Sequence, residues 1–270
     1  MIPRILFRVD STNTQELEIA RQYFPVSLIR SEIPANSLVV GRYSCLPYYD
    51  ELEKDLASNG SRLINTFRQH LYISTAAYIN DLEGLTPRTW TDYTFSTADC
   101  QGPFVIKGCT NSKKWDWDNL MYCHDKRDAS IKASRLIQDG LLTQQHILYR
   151  EYIPLEKVED EPLVGGIWPV NEWRLFCYHN TILSYGYYWS VIEQEKIASL
   201  HLSDEGLAFG QMIADKMGPK LPFYVIDIAE KEDGGWIVIE LNSGCMSGLS
   251  ENDPHKLYKN LRWMLGEGIV

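Results

Sequence analysis

The chain has 270 residues, of which 44% are hydrophobic and 23% are charged, and its formal net charge is −10. A chain of this length can bury the core of one large domain or of two modest ones. The acidic balance argues against a broad basic surface for nucleic acid, although it leaves room for a local basic patch. No stretch of about 18 consecutive apolar residues occurs, so the sequence predicts no membrane-spanning helix.

Six cysteines are scattered along the chain without a Cys-x-x-Cys pair. This spacing is unsuited to a zinc site and favours free thiols. The first residues, MIPRILFRVD, contain too short an apolar run for a signal peptide. We therefore expect a cytoplasmic protein with reduced cysteines.

Strands and helices alternate in the N-terminal part of the predicted structure. Apolar runs predict strands over residues 3–9 and 37–41, and helical spacing predicts helices over residues 15–23, 50–57 and 67–82. This alternation predicts a small α/β domain over residues 1–86, with its boundary near Thr86-Pro87.

Residues 87–270 are predicted to form an α+β domain. The expected strands cover residues 102–107, 147–153, 172–178, 181–188, 223–229 and 236–241, and the expected helices cover residues 128–139, 203–217 and 253–264. His179-Asn180 indicates a hairpin turn between two of these strands. Ile131, Leu136 and Ile137 are expected to face the core from the first helix.

Two neighbouring strands near the C-terminus each carry an acid inside an apolar run, Asp227 in FYVIDIA and Glu240 in WIVIEL. If the strands pair antiparallel around the turn 230–235, both carboxylates can face one side, and Asn242 has the parity to join them. Two carboxylates and an amide oxygen suit Mg²⁺ that also binds phosphate. The alternative is that the acids pair with buried arginines or lie in water at strand ends.

Four basic residues are candidates for binding an anion. Lys107 ends the strand GPFVIK, and Lys113 and Lys114 follow in the loop GCTNSKKWDWD, which could cover phosphates. The loop lacks the GxxxxGK[ST] pattern of a P-loop. The alternative is that the two lysines are simply solvated at the surface. Arg174 alternates with apolar neighbours in NEWRLF, and a buried arginine needs an anion.

The order of five segments resembles the ATP-grasp superfamily. These segments are VIKG, LYREYIPL, NEWRLF, FYVIDIA and WIVIELN. The resemblance covers about residues 87–270, and VVGRYSCLPYY at 39–49 is similar to the preceding α/β domain of a branch found in phages and bacteria. It implies an ATP-grasp fold, in which two α+β lobes clasp ATP, preceded by a small α/β domain.

The resemblance also implies roles for individual residues. Lys107 would contact the α- and β-phosphates, Lys113 or Lys114 would belong to a flexible phosphate-covering loop, and Arg174 would contact the γ-phosphate or an acyl-phosphate. The covering loop departs from many relatives because it is not rich in glycine. Glu151 to Ile153 would form the segment that meets adenine, with backbone groups of Tyr152 and Ile153 at the base edge and a nearby acid for the ribose. The implied metal ligands are Asp227, Glu240 and Asn242.

The implied reaction is an ATP- and Mg²⁺-dependent ligation. A carboxylate attacks the γ-phosphate of ATP to give an acyl-phosphate and ADP, and an amine or a thiol then displaces phosphate. Lys107 and Arg174 would be the catalytic residues, because they neutralise charge on the transferred group. Small-molecule or peptide carboxylates and amines would be the substrates, and the sequence identifies neither the pair nor the oligomeric state.

Two other functions compete with this one. In an RNA-ligase-like nucleotidyltransferase a strand lysine is adenylylated, but Lys107 is followed by GCT rather than by the KxDG pattern. In a non-catalytic nucleotide-binding module, a group of aromatic side chains would form the surface that binds a partner. The alternative is that these aromatic side chains belong to the core of the sheet. The aromatic candidates are Tyr185, Tyr187, Tyr188 and Trp189. Three further arginines are candidate carboxylate contacts or solvated surface residues, namely Arg42, Arg88 and Arg127.

Overall fold

The structure is a computed structural model that describes residues 2–9, 13–43, 48–140, 142 and 145–267. The chain forms two compact units, each built from separated stretches. Unit 1 contains the stretch up to Ile73, the stretch Trp173–Asp227 and the chain from Leu241 onward, and unit 2 contains Ser74–Glu172 and Ile228–Glu240. The domain boundary near Thr86-Pro87 stays a prediction.

A four-stranded parallel sheet forms the N-terminal part of unit 1. Its order is β2-β1-β3-β4, and its strands are β1 (Ile2–Phe7), β2 (Val26–Ser27), β3 (Ser37–Arg42) and β4 (Arg62–Leu63). The helices of this part are α1 (Thr14–Tyr23), α2 (Tyr49–Ala57) and α3 (Phe67–Ser74). The alternation of strands and helices confirms the predicted α/β pattern.

The single helix predicted over residues 67–82 is wrong. Helix α3 ends at Ser74, and a separate 3-10 helix covers Ala77–Leu82. Ala76 between them has a φ of 58°, in the left-handed region, which ends the α-helical hydrogen-bond pattern.

Unit 2 contains an antiparallel sheet of order β5-β8-β6-β7. The strands are β5 (Thr89–Thr91), β6 (Phe104–Gly108), β7 (Tyr122–Cys123) and β8 (Ile147–Glu151). The helices are α4 (Asp92–Phe95) and α5 (Lys126–Leu136), and Asp125 caps α5 by accepting a hydrogen bond from the N–H of Asp128 at 2.8 Å.

The prediction for the buried face of α5 is partly wrong. Leu136 is buried, but Ile131 and Ile137 are exposed. The buried stripe is Ala129, Ala133 and Leu136, at the spacing that faces a sheet.

The third sheet has the order β10-β9-β11-β12. Its strands are β9 (Glu172–Tyr178), β10 (Thr181–Tyr187), β11 (Phe223–Glu230) and β12 (Trp236–Ser243). Strands β9 and β10 form the predicted hairpin, with His179 at a φ of 48° in its turn. The chain passes from one unit to the other within β9, β11 and β12.

Three more α-helices follow along the chain, α6 (Gln194–Ser199), α7 (Asp204–Met217) and α8 (Pro254–Glu267). Ser203 caps α7, because its hydroxyl accepts a hydrogen bond from the N–H of Gly206 at 3.1 Å. Asp253 accepts one from the N–H of His255 at 2.8 Å before α8. Among these described helices, none has the length and apolar content to cross a membrane.

Each unit has its own apolar core. In unit 1, Phe7, Val40, Phe176 and Leu257 belong to one buried cluster. In unit 2, Phe104 and Leu136 belong to another. The described cysteines 100, 109, 123, 177 and 245 are free, as predicted, and Cys45 lies outside the described residues.

Candidate functional site

In unit 2, the predicted phosphate-binding lysine meets a predicted metal ligand. Strand β6 carries Lys107 and strand β12 carries Glu240, and their side chains are only 11% and 18% exposed. The ammonium group of Lys107 donates a hydrogen bond to Oε2 of Glu240 in an ion pair. This pairing compensates the removal of both charges from water, which would otherwise cost several kcal/mol.

A second buried cation of unit 2, Arg150 on β8, was not singled out from the sequence. Its guanidinium donates to the carbonyl oxygen of Ile239, the residue before Glu240, and Nη2 donates to Oγ1 of Thr86 at 2.8 Å. Burial lowers the pKa of Arg150 from its ordinary value, and the charge of Glu240 acts in the opposite direction. Arg150 interrupts an apolar strand, ILYREYI, which is the same signal that selected Arg174.

In unit 1, three predicted site residues lie together. Arg174 binds Asp227 through two hydrogen bonds, from Nε to Oδ1 at 2.9 Å and from Nη2 to Oδ2 at 2.8 Å. Asp227 is fully buried, and the Nδ2 group of Asn242 lies 3.3 Å from its Oδ2. Nη1 of Arg174 donates to the carbonyl oxygen of Gly248 at 3.0 Å, and the guanidinium lies 4.8 Å from the ring centre of Tyr188. These contacts fix the plane of the guanidinium.

The structure therefore fits the alternative in which the two acids pair with buried cations, because Asp227 binds Arg174 and Glu240 binds Lys107. Across the described ranges, no group of three or more His, Cys, Asp or Glu side chains is placed to hold a metal ion. The predicted set has two carboxylates and one amide, so Mg²⁺ bound by it would take its other ligands from phosphate or water. The donor chemistry fits Mg²⁺, and the metal role stays a prediction.

The segment predicted to meet adenine has partners within unit 2. Glu151 accepts two hydrogen bonds from Arg88, at 3.0 and 3.2 Å. Arg88 is one of the three arginines proposed as carboxylate contacts, and the carboxylate it binds here is Glu151. The N–H of Tyr152 donates to the carbonyl oxygen of Pro103 at 3.0 Å. Of the backbone groups expected at the base edge, this N–H is thus already engaged, which leaves the Tyr152 carbonyl and Ile153 as the proposed contacts.

The predicted covering loop is a structured segment of unit 2. Nζ of Lys113 forms an ion pair with Asp139 at 2.5 Å. Lys114 is half-buried and begins a 3-10 turn, Lys114–Asp116, which is followed by a π-helix, Trp117–Met121. The lysines are therefore held in a folded loop rather than in an extended one.

Comparisons with known proteins decide the family. A family model matches residues 94–261, and that family is the ATP-grasp domain, family 3 of the R-2-K clade. The chain belongs to this ATP-grasp family. It is accordingly an ATP-dependent ligase with the predicted α+β ATP-grasp fold. A search of curated proteins gave no match.

Several solved structures share the ATP-grasp fold at low sequence identity. D-cycloserine synthetase DcsG has a TM-score of 0.61 and 15% identity, with 97% of this chain and 99% of that chain covered. The ATP-grasp ligase PsnB, complexed with a minimal precursor, has a TM-score of 0.58 and 13% identity, with 98% and 99% covered. D-alanine–D-alanine ligase from Bacillus anthracis, complexed with ATP, has a TM-score of 0.55 and 13% identity, with 99% and 98% covered.

The other candidate arginines of this ATP-grasp protein have different environments. Arg42 is buried at the end of β3, where Nη2 lies 2.7 Å from Oε1 of Glu16 and Nε lies 3.2 Å from the hydroxyl of Tyr258. It also donates to the carbonyl oxygen of Gly244. Arg42 is therefore a buried residue paired with Glu16, and it is neither solvated nor available to bind a substrate carboxylate. Arg127 is exposed, as expected of a solvated residue.

The aromatic candidates are mostly sheet core. Tyr187 and Trp189 are buried, and the Tyr187 ring lies 5.8 Å from that of Trp173 in an edge-on contact. Tyr185 and Tyr188 are half-buried, and Tyr188 covers the guanidinium of Arg174. Tyr187 and Trp189 therefore belong to the core of the sheet, whereas Tyr188 packs against Arg174.

Proposed function

We propose that this ATP-grasp protein joins a carboxylate to an amine or a thiol through an acyl-phosphate, with ATP and Mg²⁺. The observation that carries the proposal is the charge pairing in each unit, Lys107 with Glu240 and Arg174 with Asp227. Each pair contains one proposed phosphate-binding cation and one proposed metal-binding carboxylate. With phosphate bound to the cation and a metal ion bound to the acid, each buried group would keep a counter-charge, so neither would be left unpaired.

The nucleotide-binding roles follow the order of the segments. Lys107 would hold the α- and β-phosphates, and one of Lys113 and Lys114 would cover them. The segment 151–153 would contact the base edge and the ribose. Arg174 would bind the γ-phosphate and then the acyl-phosphate, and its fixed guanidinium supports this role because a preoriented donor needs no reorganisation during the reaction.

The proposed metal ligands are Asp227, Glu240 and Asn242. Bound Mg²⁺ would supply neutralisation of the charge on the transferred phosphoryl group. The chain's own groups orient the reactants and balance charge, and no covalent protein nucleophile takes part. The free cysteines accordingly have no role in this proposal.

The substrate class is supported by the structural neighbours. PsnB is complexed with a minimal precursor in its structure, and the macrocyclase MdnC from Microcystis aeruginosa MRC is bound with the precursor peptide MdnA. D-alanine–D-alanine ligase is also among the neighbours. These relatives favour small-molecule or peptide carboxylates and amines as substrates of this chain.

The test is a screen for ADP release with amino acids, peptides and polyamines, in the presence of ATP and Mg²⁺. With an active carboxylate, we expect hydroxylamine to replace the amine and to capture the acyl-phosphate as a hydroxamate, with release of phosphate. The Glu240→Gln variant serves as the matched control and should give little product. Covalent AMP on the protein would contradict the proposal and favour the nucleotidyltransferase function.

A further inference from the structure

The proposed covering loop rests against a glycine turn of the same unit. The part of the covering loop concerned is residues 113–118, and we define the glycine turn as residues 163–166. A Cβ atom added at Gly165 would lie 2.0 Å from the carbonyl oxygen of Trp115 and 2.6 Å from its carbonyl carbon. The N–H of Asp118 donates to the carbonyl oxygen of Gly165 at 3.2 Å. The backbone of the loop therefore lies directly on the backbone of the turn.

Glycine is needed in this turn for two independent reasons. The φ of Gly165 is 95° and that of Gly166 is 89°, values that L side chains rarely adopt. In addition, a Cβ atom at Gly166 would lie 2.0 Å from Oδ2 of Asp118. The first reason concerns the shape of the turn, and the second concerns its contact with the loop.

Helix α5 and the residues just after it also bind the loop. The Lys132 side chain is largely buried, and its Nζ donates to the carbonyl oxygens of Asp118 at 2.7 Å and Tyr122 at 2.6 Å. Lys113 pairs with Asp139, just beyond the C-terminal end of α5. With these points fixed, the backbone path of residues 114–117 depends on the surface that Gly165 presents.

The glycine turn contributes little to the core of unit 2. Val164 at its tip is 92% exposed, and the turn is closed by a hydrogen bond from the N–H of Gly166 to the carbonyl oxygen of Leu163 at 3.0 Å. Its glycines contact the covering loop rather than the core cluster. Core packing therefore gives no reason for two consecutive glycines at this point.

We propose that the glycine turn positions the covering loop over the nucleotide phosphates, and that Gly165 is the residue that sets the loop's position. This inference rests on the proposed function, because that function assigns the loop to the phosphates. Gly165 acts through Trp115 and is a positioning residue. It needs no contact with the nucleotide.

The test compares Gly165→Ala with Gly234→Ala. Gly234 also belongs to unit 2 and has a φ of 92°, but no atom lies within 4 Å of its added Cβ position. Both substitutions therefore place a methyl group on a residue with a similar positive φ, and only Gly165→Ala displaces the loop. Gly166→Ala gives a third, milder variant, because the Asp118 carboxylate can rotate away from the added methyl group.

The first readout uses protein without nucleotide. Trypsin should cleave after Lys113 or Lys114 faster in Gly165→Ala than in the wild type, while Gly234→Ala should be cleaved at the wild-type rate. The second readout is the affinity for ATP and for adenosine. Because the loss of one hydrogen bond to a charged phosphate weakens binding by about tenfold or more, we expect Gly165→Ala to bind ATP about tenfold or more weakly. Adenosine affinity should be unchanged, since adenosine has no phosphates to cover.

Equal cleavage rates and equal ATP affinities for Gly165→Ala and Gly234→Ala would overturn the inference while leaving the proposed function intact. Equal losses of ATP and adenosine affinity would also overturn it, because they indicate general damage to unit 2. A wild-type protein that binds no ATP would overturn the proposed function itself and the positioning role with it.

Discussion

Replacing Glu240 with glutamine removes one charge from an ion pair whose side chains are 11% and 18% exposed. Removing one partner of a fully buried pair costs about 3–5 kcal/mol, because the other charge is left unpaired. Here the glutamine amide oxygen can still accept a hydrogen bond from the Lys107 ammonium, and the small exposure admits water. We therefore expect a loss of about 2 kcal/mol in the free energy of unfolding. For a chain of 270 residues, that loss lowers the melting temperature by about 4 °C.

A double-mutant cycle isolates the pair. Glu240→Gln, Lys107→Met and the double variant are unfolded by heat and by urea without nucleotide, and the double variant should recover most of the loss. Asp50→Asn is the matched control, because its pair with Lys54 is 43% and 73% exposed, and its effect should stay within about 0.5 kcal/mol. A Glu240→Gln protein as stable as the wild type, or more stable, would refute the reasoning.

Three further predictions concern groups outside the proposed site. Arg42→Met should lower the free energy of unfolding by about 3 kcal/mol because it strands a buried carboxylate, whereas Arg127→Met should change it by less than about 0.5 kcal/mol; equal effects in urea unfolding would contradict this. Burial lowers the pKa of His70 to about 4 from its ordinary value of 6.5, so the unfolded chain binds a proton more readily than the folded protein. The free energy of unfolding should therefore be highest above pH 6.5 and should fall as the pH falls toward 4. The loss should reach about 2 kcal/mol at pH 5 and should be absent in His70→Phe, as urea unfolding at two pH values would check. Burial raises the pKa of the Cys245 thiol to about 11, so a maleimide should label it far more slowly than the half-buried Cys100, and equal rates would argue against its burial.

Local signals in the sequence predicted most elements of the fold. Strands with long apolar runs and helices with clear caps, such as Ser203 before α7 and Asp253 before α8, were found within a few residues. The break at Ala76 was missed because an alanine in the left-handed region has no local signature. The exposed position of Ile131 was missed because the buried stripe of a helix depends on the sheet against which it packs.

The candidate site was predictable as a list of residues and not as a set of contacts. The order of the segments selected Arg174 and Asp227, which the structure brings together. The pairing of Lys107 with Glu240 joins residues 133 positions apart, and no local pattern encodes such a contact. The glycine turn was missed for the same reason, since the loop that it supports lies about 50 positions earlier in the chain.

The central claim is that Lys107 and its partners bind ATP together with Mg²⁺. The most direct measurement is the melting temperature of the wild type and of Lys107→Met, each with ATP alone and with ATP plus Mg²⁺. A ligand at 100 times its Kd that binds only the folded state adds about 2.7 kcal/mol, which corresponds to about 5 °C for a chain of 270 residues. We predict a rise of this kind for the wild type with ATP and Mg²⁺, and a much smaller rise for Lys107→Met. No rise for the wild type at millimolar ATP with Mg²⁺, or an equal rise in both proteins, would contradict the claim.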